Sequence, residues 1–194
     1  MIKAIIFDCF GVVLTDALQA IRSDLALRNP QGAREVSDII AANNRGLMEP
    51  SESREQIAAI MGINTDEFRS RVAAGEVRDE ALLNYVLDLR QSFKTAMLSN
   101  IAGESLQRRF PGNELAVYFD EVIASAEIGF AKPDHQAYEI AAERLGVMPA
   151  ECVFTDDREG FCVAAGDVGM HPILYKNFAQ FSTELRELLK KLQG

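Results

Sequence analysis

Five short apolar runs place the strongest constraint on the fold of this chain. None of them alternates strictly between apolar and polar residues, which is typical of strands that are covered on both faces. From residue 92 onward the runs alternate with helical patterns, so the sequence predicts a doubly wound, Rossmann-like parallel sheet of the α/β class. The predicted strands are Ala4–Phe7, Ala96–Leu98, Val122–Ala124, Cys152–Phe154 and Pro172–Leu174.

A block of helices interrupts this alternation after the first strand. Residues 17–90 carry no strand pattern, and their apolar residues recur with the spacing of amphipathic helices. We therefore expect an α/β core of residues 1–14 and 92–194, with an all-helical cap of residues 15–91 over one end of the sheet. The helices predicted in this block are Ala17–Arg28, Ala33–Asn44, Ser53–Met61, Asp66–Gly75 and Asp79–Arg90, and those predicted later are Lys132–Gly146, Glu159–Ala165 and Phe178–Leu192.

Composition narrows the range of partners. The chain has 194 residues, 48% of them hydrophobic, which is enough for one core and a small accessory domain. Its net charge of -9 argues against a nucleic-acid partner.

We expect no membrane span and no signal peptide, and hence a cytoplasmic location. The cysteines, Cys9, Cys152 and Cys162, form no CxxC pair and are expected to be buried thiols. The oligomeric state, monomer or dimer, is left open.

The ends of the predicted strands carry the residues that suggest chemistry. Ligands of open parallel sheets bind beyond the carboxyl ends of the strands, so these residues are expected to meet at one edge. Singly, each has an ordinary interpretation as a turn, a helix cap or a solvated charge. Two adjacent carboxylates at a buried strand end are different, because they repel each other unless a cation lies between them. The residues are Asp8, Ser99, Asn100, Lys132, Asp156 and Asp157.

Four segments in this order resemble the motifs of the haloacid dehalogenase-like hydrolase superfamily. They read FDCFGVVL, AMLSN, GFAKPD and VFTDDREGFCVAA, and the resemblance spans nearly the whole chain. The helical block is similar to the cap of the phosphatase branch, and the first motif is a variant, Asp-Cys-Phe-Gly. The resemblance implies a Mg²⁺-dependent phosphatase that acts on a small phosphorylated metabolite, such as a phosphosugar.

The resemblance also implies roles for single residues. Asp8 would be the nucleophile that forms an aspartyl-phosphate, and Lys132 would neutralise the transferred group and orient Asp8. Mg²⁺ would be held by Asp8, the backbone carbonyl of Phe10, Asp157, and Asp156 directly or through water. Ser99, Asn100 and Gly11 would lie against the phosphate. Among the cap residues Asp16, Gln19, Asn43, Asn44 and Arg45, Arg45 is the preferred contact to a second group of the substrate.

Two aromatic residues depart from the superfamily pattern. Phe10 stands where most of its phosphatases carry a general acid, and Phe161 stands where an Asn is common. We expect Phe10 to disfavour poor leaving groups, and we hypothesise that the two rings pack together as one apolar patch. An aromatic residue at position 10 is also typical of metal-independent 2-haloacid dehalogenases, and a catalytically silent binding protein is a third interpretation. The acid pair favours Mg²⁺ and phosphate. His135 and His171 receive no catalytic role.

Overall fold

The computed structural model describes residues 1–101 and 103–193, and its centre is a five-stranded parallel sheet. The order of the strands in the sheet is β3-β2-β1-β4-β5. Each predicted strand overlaps an observed one, so the predicted α/β fold with a parallel sheet is confirmed. The strands are β1 (Ala4–Phe7), β2 (Lys94–Ser99), β3 (Glu121–Ala124), β4 (Cys152–Asp156) and β5 (His171–Leu174).

Strand β1 shows why these strands lack alternation. All four of its residues are fully buried. Ile5 and Phe7 belong to one hydrophobic cluster, whereas Ala4 and Ile6 belong to a second cluster. Because successive side chains of a strand point to opposite faces, both faces of β1 are covered and both sets of residues must be apolar.

Eleven helices are found in the described residues, and each predicted helix corresponds to one of them. Sequence analysis missed α6, α7 and α8, which have at most seven residues each and are too short for a periodic pattern. The helices are α1 (Ala17–Arg28), α2 (Pro30–Asn44), α3 (Pro50–Met61), α4 (Thr65–Gly75), α5 (Glu80–Leu89), α6 (Gly103–Arg109), α7 (Glu114–Tyr118), α8 (Ser125–Ile128), α9 (His135–Arg144), α10 (Glu159–Asp167) and α11 (Phe178–Gln193).

Helices α1 to α4, called the four-helix unit below, enclose a hydrophobic cluster of their own. The helices form a ring in which α1 packs against α2 and α4, and α3 packs against α2 and α4. Helix α5 behaves differently, since its residues Leu82, Leu83 and Val86 are buried in a cluster of the sheet core. The division into a core and a cap of residues 15–91 stays a prediction, and the packing of α5 favours a shorter cap.

Two connecting segments join the four-helix unit to the rest of the chain, and they run side by side. The backbone N–H of Thr15 donates to the carbonyl of Val77, and the Thr15 hydroxyl accepts from the Val77 N–H at 2.8 Å. The backbone N–H of Asp79 also donates to the carbonyl of Val13 at 2.9 Å, so several bonds link the segments that enter and leave the unit.

Two expectations concern the chain as a whole. Cys9, Cys152 and Cys162 are free and buried, which confirms them as buried thiols. In the described part of the chain, no helix has the length and apolar character needed to span a membrane.

Candidate functional site

The candidate site lies where the order of the sheet reverses. The chain fills the sheet from β1 outward to β2 and β3, and later adds β4 and β5 on the other side of β1. Ligand sites of doubly wound sheets lie at such a switch point, at the carboxyl ends of the two flanking strands. Phe7 pairs with Thr155, so Asp8 and Asp156 follow at the same level, and the Asp8 N–H donates to the Thr155 carbonyl at 2.9 Å.

Lys132 lies between the two carboxylates at this edge. Its Nζ is 2.7 Å from Oδ1 of Asp8 and 2.6 Å from Oδ2 of Asp156. Lys132 is 3% exposed, Asp8 is 5% exposed and Asp156 is fully buried. One buried ammonium thus faces two buried carboxylates, and charges shielded from water interact far more strongly than surface pairs.

Asn100 holds the backbone of Lys132. The Asn100 side-chain Nδ2 donates to the Lys132 carbonyl at 2.8 Å, and its Oδ1 accepts from the Lys132 N–H at the same distance. This pair of bonds fixes the loop that carries Lys132 to the end of β2. The amide of Asn100 is therefore used for positioning in this structure, whereas sequence analysis assigned Asn100 to the substrate.

The acids have the donor set that a divalent cation requires. Carboxylate oxygens of Asp8, Asp156 and Asp157 lie within 4.8 Å of one another. The Oδ1 atom of Asp157 and the hydroxyl of Ser99 are buried and have no hydrogen-bond partner. Unpartnered buried polar atoms are costly, and a group of carboxylate oxygens is the site that Mg²⁺ prefers. These residues therefore fit a Mg²⁺ ion.

The electrostatics of the acids agree with a cation-binding site. Burial raises the pKa of Asp8 to about 7; Lys132 lowers it and the charge of Asp156 raises it further. Burial and Asp156 likewise raise the pKa of Asp157 to about 6. Burial disfavours the charged form of Lys132, but Asp156 and Asp8 outweigh this effect and raise its pKa. The one positive charge of Lys132 does not balance the negative charges of three ionised carboxylates. A divalent cation would favour their ionised forms.

Gly11 is required by a close approach to Asp157. Its φ is +93°, and a Cβ at this position would lie 2.3 Å from Cγ of Asp157. A side chain there would displace the carboxylate, so only glycine allows this loop to pass beside the acid.

A cavity of about 820 Å³ opens above the acids, between the sheet and the four-helix unit. Seven of the 20 Lys and Arg residues line it, against four of the 29 acids, as counted among the described residues. Cations are thus concentrated here in a chain of net charge -9, which favours an anionic ligand. The seven cations are Arg22, Arg54, Arg69, Arg108, Arg109, Lys132 and Arg158.

Most of the predicted cap residues, but not the preferred one, line this cavity. Asp16, Gln19, Asn43 and Asn44 contribute to its wall. Arg45 does not: its Nη2 lies 3.2 Å from Asp134 at the start of α9, where it links α2 to the core.

The two histidines lie outside the cavity as well. His135 is 3.8 Å from Asp167, and His171 contacts the carbonyl of Ala150 at 3.2 Å.

Phe10 and Phe161 both line the cavity but do not form one patch. Phe10 packs against the hydrophobic cluster on one face of the sheet, and Phe161 against the cluster on the other face. Each ring instead meets a cation: Arg109 lies 5.1 Å from the centre of Phe10, and Arg158 lies 5.0 Å from that of Phe161. The hypothesis of a common patch is wrong, because Phe10 packs against one hydrophobic cluster and Phe161 packs against the other.

Sequence analysis missed the arginines that support these rings. Arg109 makes two hydrogen bonds to Glu76, at 2.6 and 2.7 Å, and so connects α6 to the segment that leaves the four-helix unit. Helix α6 itself was not predicted, so no pattern pointed to Arg109. Arg158 directly follows the acid pair in the sequence DDREGF, and its place after a strand end was a usable signal.

Comparison with known proteins identifies the family. The profile described as haloacid dehalogenase-like hydrolase matches residues 2–166, which is more than half of the chain. The chain is a haloacid dehalogenase-like hydrolase. This hydrolase is 28% identical over 191 residues to the sesquiterpene phosphatase astK of Aspergillus oryzae, and the match covers 96% of each chain.

Solved structures show the same fold for this hydrolase. A family enzyme from Bacteroides thetaiotaomicron, crystallised with magnesium and inorganic phosphate, has a TM-score of 0.73 at 23% identity, covering 91% of this chain and 95% of that one. The L-2-haloacid dehalogenase of Xanthobacter autotrophicus, with chloropropionic acid covalently bound, has a TM-score of 0.63 at 21% identity, covering 96% of this chain and 83% of that one.

Proposed function

We propose that the hydrolase is a Mg²⁺-dependent phosphatase that cleaves a small phosphomonoester through an aspartyl-phosphate on Asp8. The observation that carries this proposal is the group formed by Asp8, Asp156 and Asp157, with Lys132 in contact with two of them. A phosphatase among the relatives and a magnesium and phosphate complex of a similar fold support it. A cytoplasmic location and a cap formed by the four-helix unit belong to the same proposal.

The proposed reaction begins with Asp8. Its carboxylate oxygen attacks phosphorus as the bond from phosphorus to the leaving oxygen breaks, and water then cleaves the aspartyl-phosphate. Lys132 holds the Asp8 carboxylate and offsets the negative charge that gathers there. Mg²⁺, held by Asp8, Asp156, Asp157 and the Phe10 carbonyl, would supply the remaining positive charge. The Ser99 hydroxyl and Gly11 would lie against the phosphate oxygens.

Phe10 supplies no proton to the leaving group. Its ring supports the guanidinium of Arg109, which makes its role structural in this fold. The leaving oxygen must therefore take its proton from solvent, and esters with good leaving groups are the expected substrates. General acid help is worth about 10²–10⁴-fold.

The test is hydrolysis of p-nitrophenyl phosphate with Mg²⁺ and with EDTA. Wild type should turn over only with Mg²⁺, and Asp8→Asn should lose activity while it stays folded. Asp24→Asn is the matched control, because Asp24 is exposed and pairs with Arg28 on the surface of α1. Turnover that persists in EDTA or in Asp8→Asn would overturn the mechanism.

A 2-haloacid dehalogenase is the second candidate, favoured by Phe10 and by the similarity to a dehalogenase structure. That reaction needs no metal, and the acid pair at the end of β4 disfavours a halocarboxylate because the charges repel. Chloride release from 2-chloropropionate that is insensitive to EDTA would favour it. A silent binding protein would gain stability from Mg²⁺ and yet turn over neither substrate.

A further inference from the structure

Apolar side chains from all four helices of the four-helix unit line the cavity, alongside polar ones. The residues are Leu18 from α1, Ile40 from α2, Ile57 from α3, and Phe68 and Val72 from α4. They are also members of the hydrophobic cluster inside the ring. The cavity therefore reaches the apolar interior of the unit as well as its polar surface.

Leu18 and Ile40 are half-buried, and the other three are almost completely buried. A ligand gains free energy by excluding water from the exposed parts of Leu18 and Ile40, whereas the other three side chains are already shielded from water.

Several polar side chains of the cavity wall are occupied within the protein, although the buried Oε1 of Gln19 has no hydrogen-bond partner. The Asp16 carboxylate accepts from the backbone N–H of Gln19 at 2.8 Å, and the Asn43 amide donates to the Met48 carbonyl at 3.2 Å. Asp66 and Arg69 pair with each other at the rim, with side chains 92% and 64% exposed. A sugar would need several converging donors and acceptors, because each hydroxyl that loses water requires a new partner.

We propose that the substrate of this hydrolase is a phosphomonoester whose organic part is an elongated apolar group rather than a sugar. The phosphate would lie at Asp8 and Lys132, and the apolar group would extend from it into the ring of α1 to α4. This inference rests on the proposed function, since the phosphate end defines the direction of the ligand. It replaces the phosphosugar expected from the sequence.

The first experiment measures binding, so it does not depend on turnover. Calorimetry with n-alkyl phosphonates, from butyl to octyl, in the presence of Mg²⁺ should give a Kd that falls with each added methylene. Complete burial of a methylene corresponds to about fourfold in Kd, and half burial to about twofold. A Kd that does not change from butyl to octyl would overturn the inference.

Two neighbouring isoleucines of α2 provide a matched pair of variants. Both residues pack against the hydrophobic cluster of the four-helix unit, but Ile40 lines the cavity and Ile39 does not. Ile40→Asn should reduce the gain in phosphonate affinity for each added methylene, and Ile39→Asn should keep the wild-type gain in affinity. Leu18→Asn tests the wall from α1 if Ile40→Asn does not fold. Equal gains in wild type, Ile40→Asn and Leu18→Asn would contradict the assignment of this wall.

A turnover series separates this inference from the proposed function. The 4-alkylphenyl phosphates, from methyl to octyl, keep the leaving group nearly constant while the apolar length grows. A kcat/KM that rises with length and exceeds that of glucose 6-phosphate supports both statements. Hydrolysis that needs Mg²⁺ and Asp8 but is independent of length, or that favours glucose 6-phosphate, overturns only the inference. Absence of hydrolysis together with length-dependent phosphonate binding overturns only the phosphatase.

Discussion

Replacing Lys132 with methionine should destabilise the fold far more than an ordinary loss of one charge. The Nζ atom of Lys132 contacts Asp8 at 2.7 Å and Asp156 at 2.6 Å, and all three side chains are buried. Methionine keeps most of the volume but leaves two carboxylates without their ammonium. Breaking a buried ion pair by removing one partner costs about 3–5 kcal/mol. We expect Lys132→Met to lose a free energy of unfolding in this range at pH 8 in EDTA.

The assay is urea unfolding followed by circular dichroism at pH 5 and pH 8. The pKa of Lys132 is raised, so its ammonium stays charged in the folded and the unfolded protein across this window. The pH dependence must then come from the acids. Burial raises the pKa of Asp8 to about 7, and this pKa rises further without Lys132, so Asp8 is neutral at pH 5 in the variant. The free energy of unfolding that Lys132→Met loses should therefore be smaller at pH 5 than at pH 8.

Lys3→Met is the matched control. Lys3 also pairs with a carboxylate, that of Glu151, but its side chain is 57% exposed and solvent screens the pair. The double variant Lys132→Met/Asp8→Asn should recover part of the stability, because it removes one of the two stranded charges. A loss for Lys132→Met no greater than that for Lys3→Met would refute the view that this buried cluster is held by its charges.

Three other perturbations test the site. Gly11→Ala should cost about 1–3 kcal/mol of stability through backbone strain and should abolish thermal stabilisation by Mg²⁺. Gly112 is the control, because it also has a positive φ but no neighbour within 4 Å, so Gly112→Ala should show the strain alone. In EDTA the free energy of unfolding should fall as pH rises from 3.8 to about 7. Burial raises the pKa of Asp8 and Asp157 in the folded protein, so these acids ionise at lower pH in the unfolded chain. Denaturant titrations across this pH range check the sign. The rate of hydrolysis of an aryl phosphate should exceed that of a simple alkyl phosphate by about 10²-fold or more, because Phe10 cannot protonate the leaving group. Equal rates would show that another group supplies this proton.

The fold was largely predictable because its signals are local. Strand β1 is four residues that are buried on both faces, and helix α11 shows its apolar spacing within 16 residues. The acids at the strand ends were predicted to meet, since parallel strands bring their carboxyl ends to one edge. That single rule placed Asp8 beside Asp156, 148 positions apart in the chain, without any knowledge of side-chain contacts.

The partners of individual side chains were not predictable in this way. Asn100 lines the cavity and also holds the backbone of Lys132, whereas Arg45 pairs with Asp134 and does not line the cavity. Helix α5 has the pattern of its helical neighbours and yet packs on the sheet. Each of these outcomes depends on distances between residues far apart in sequence, which local periodicity does not encode.

The sequence by itself determined the sheet, the longer helices and the edge at which the acids meet, because these follow from the period of buried residues and from strand direction. Only the tertiary structure decided the shape of the cavity and the character of its walls. A helix with one apolar stripe can bury that stripe completely or leave part of it facing a cavity, and the two cases have the same sequence pattern. Packing of four helices into a ring chose the second case for Ile40 and Leu18.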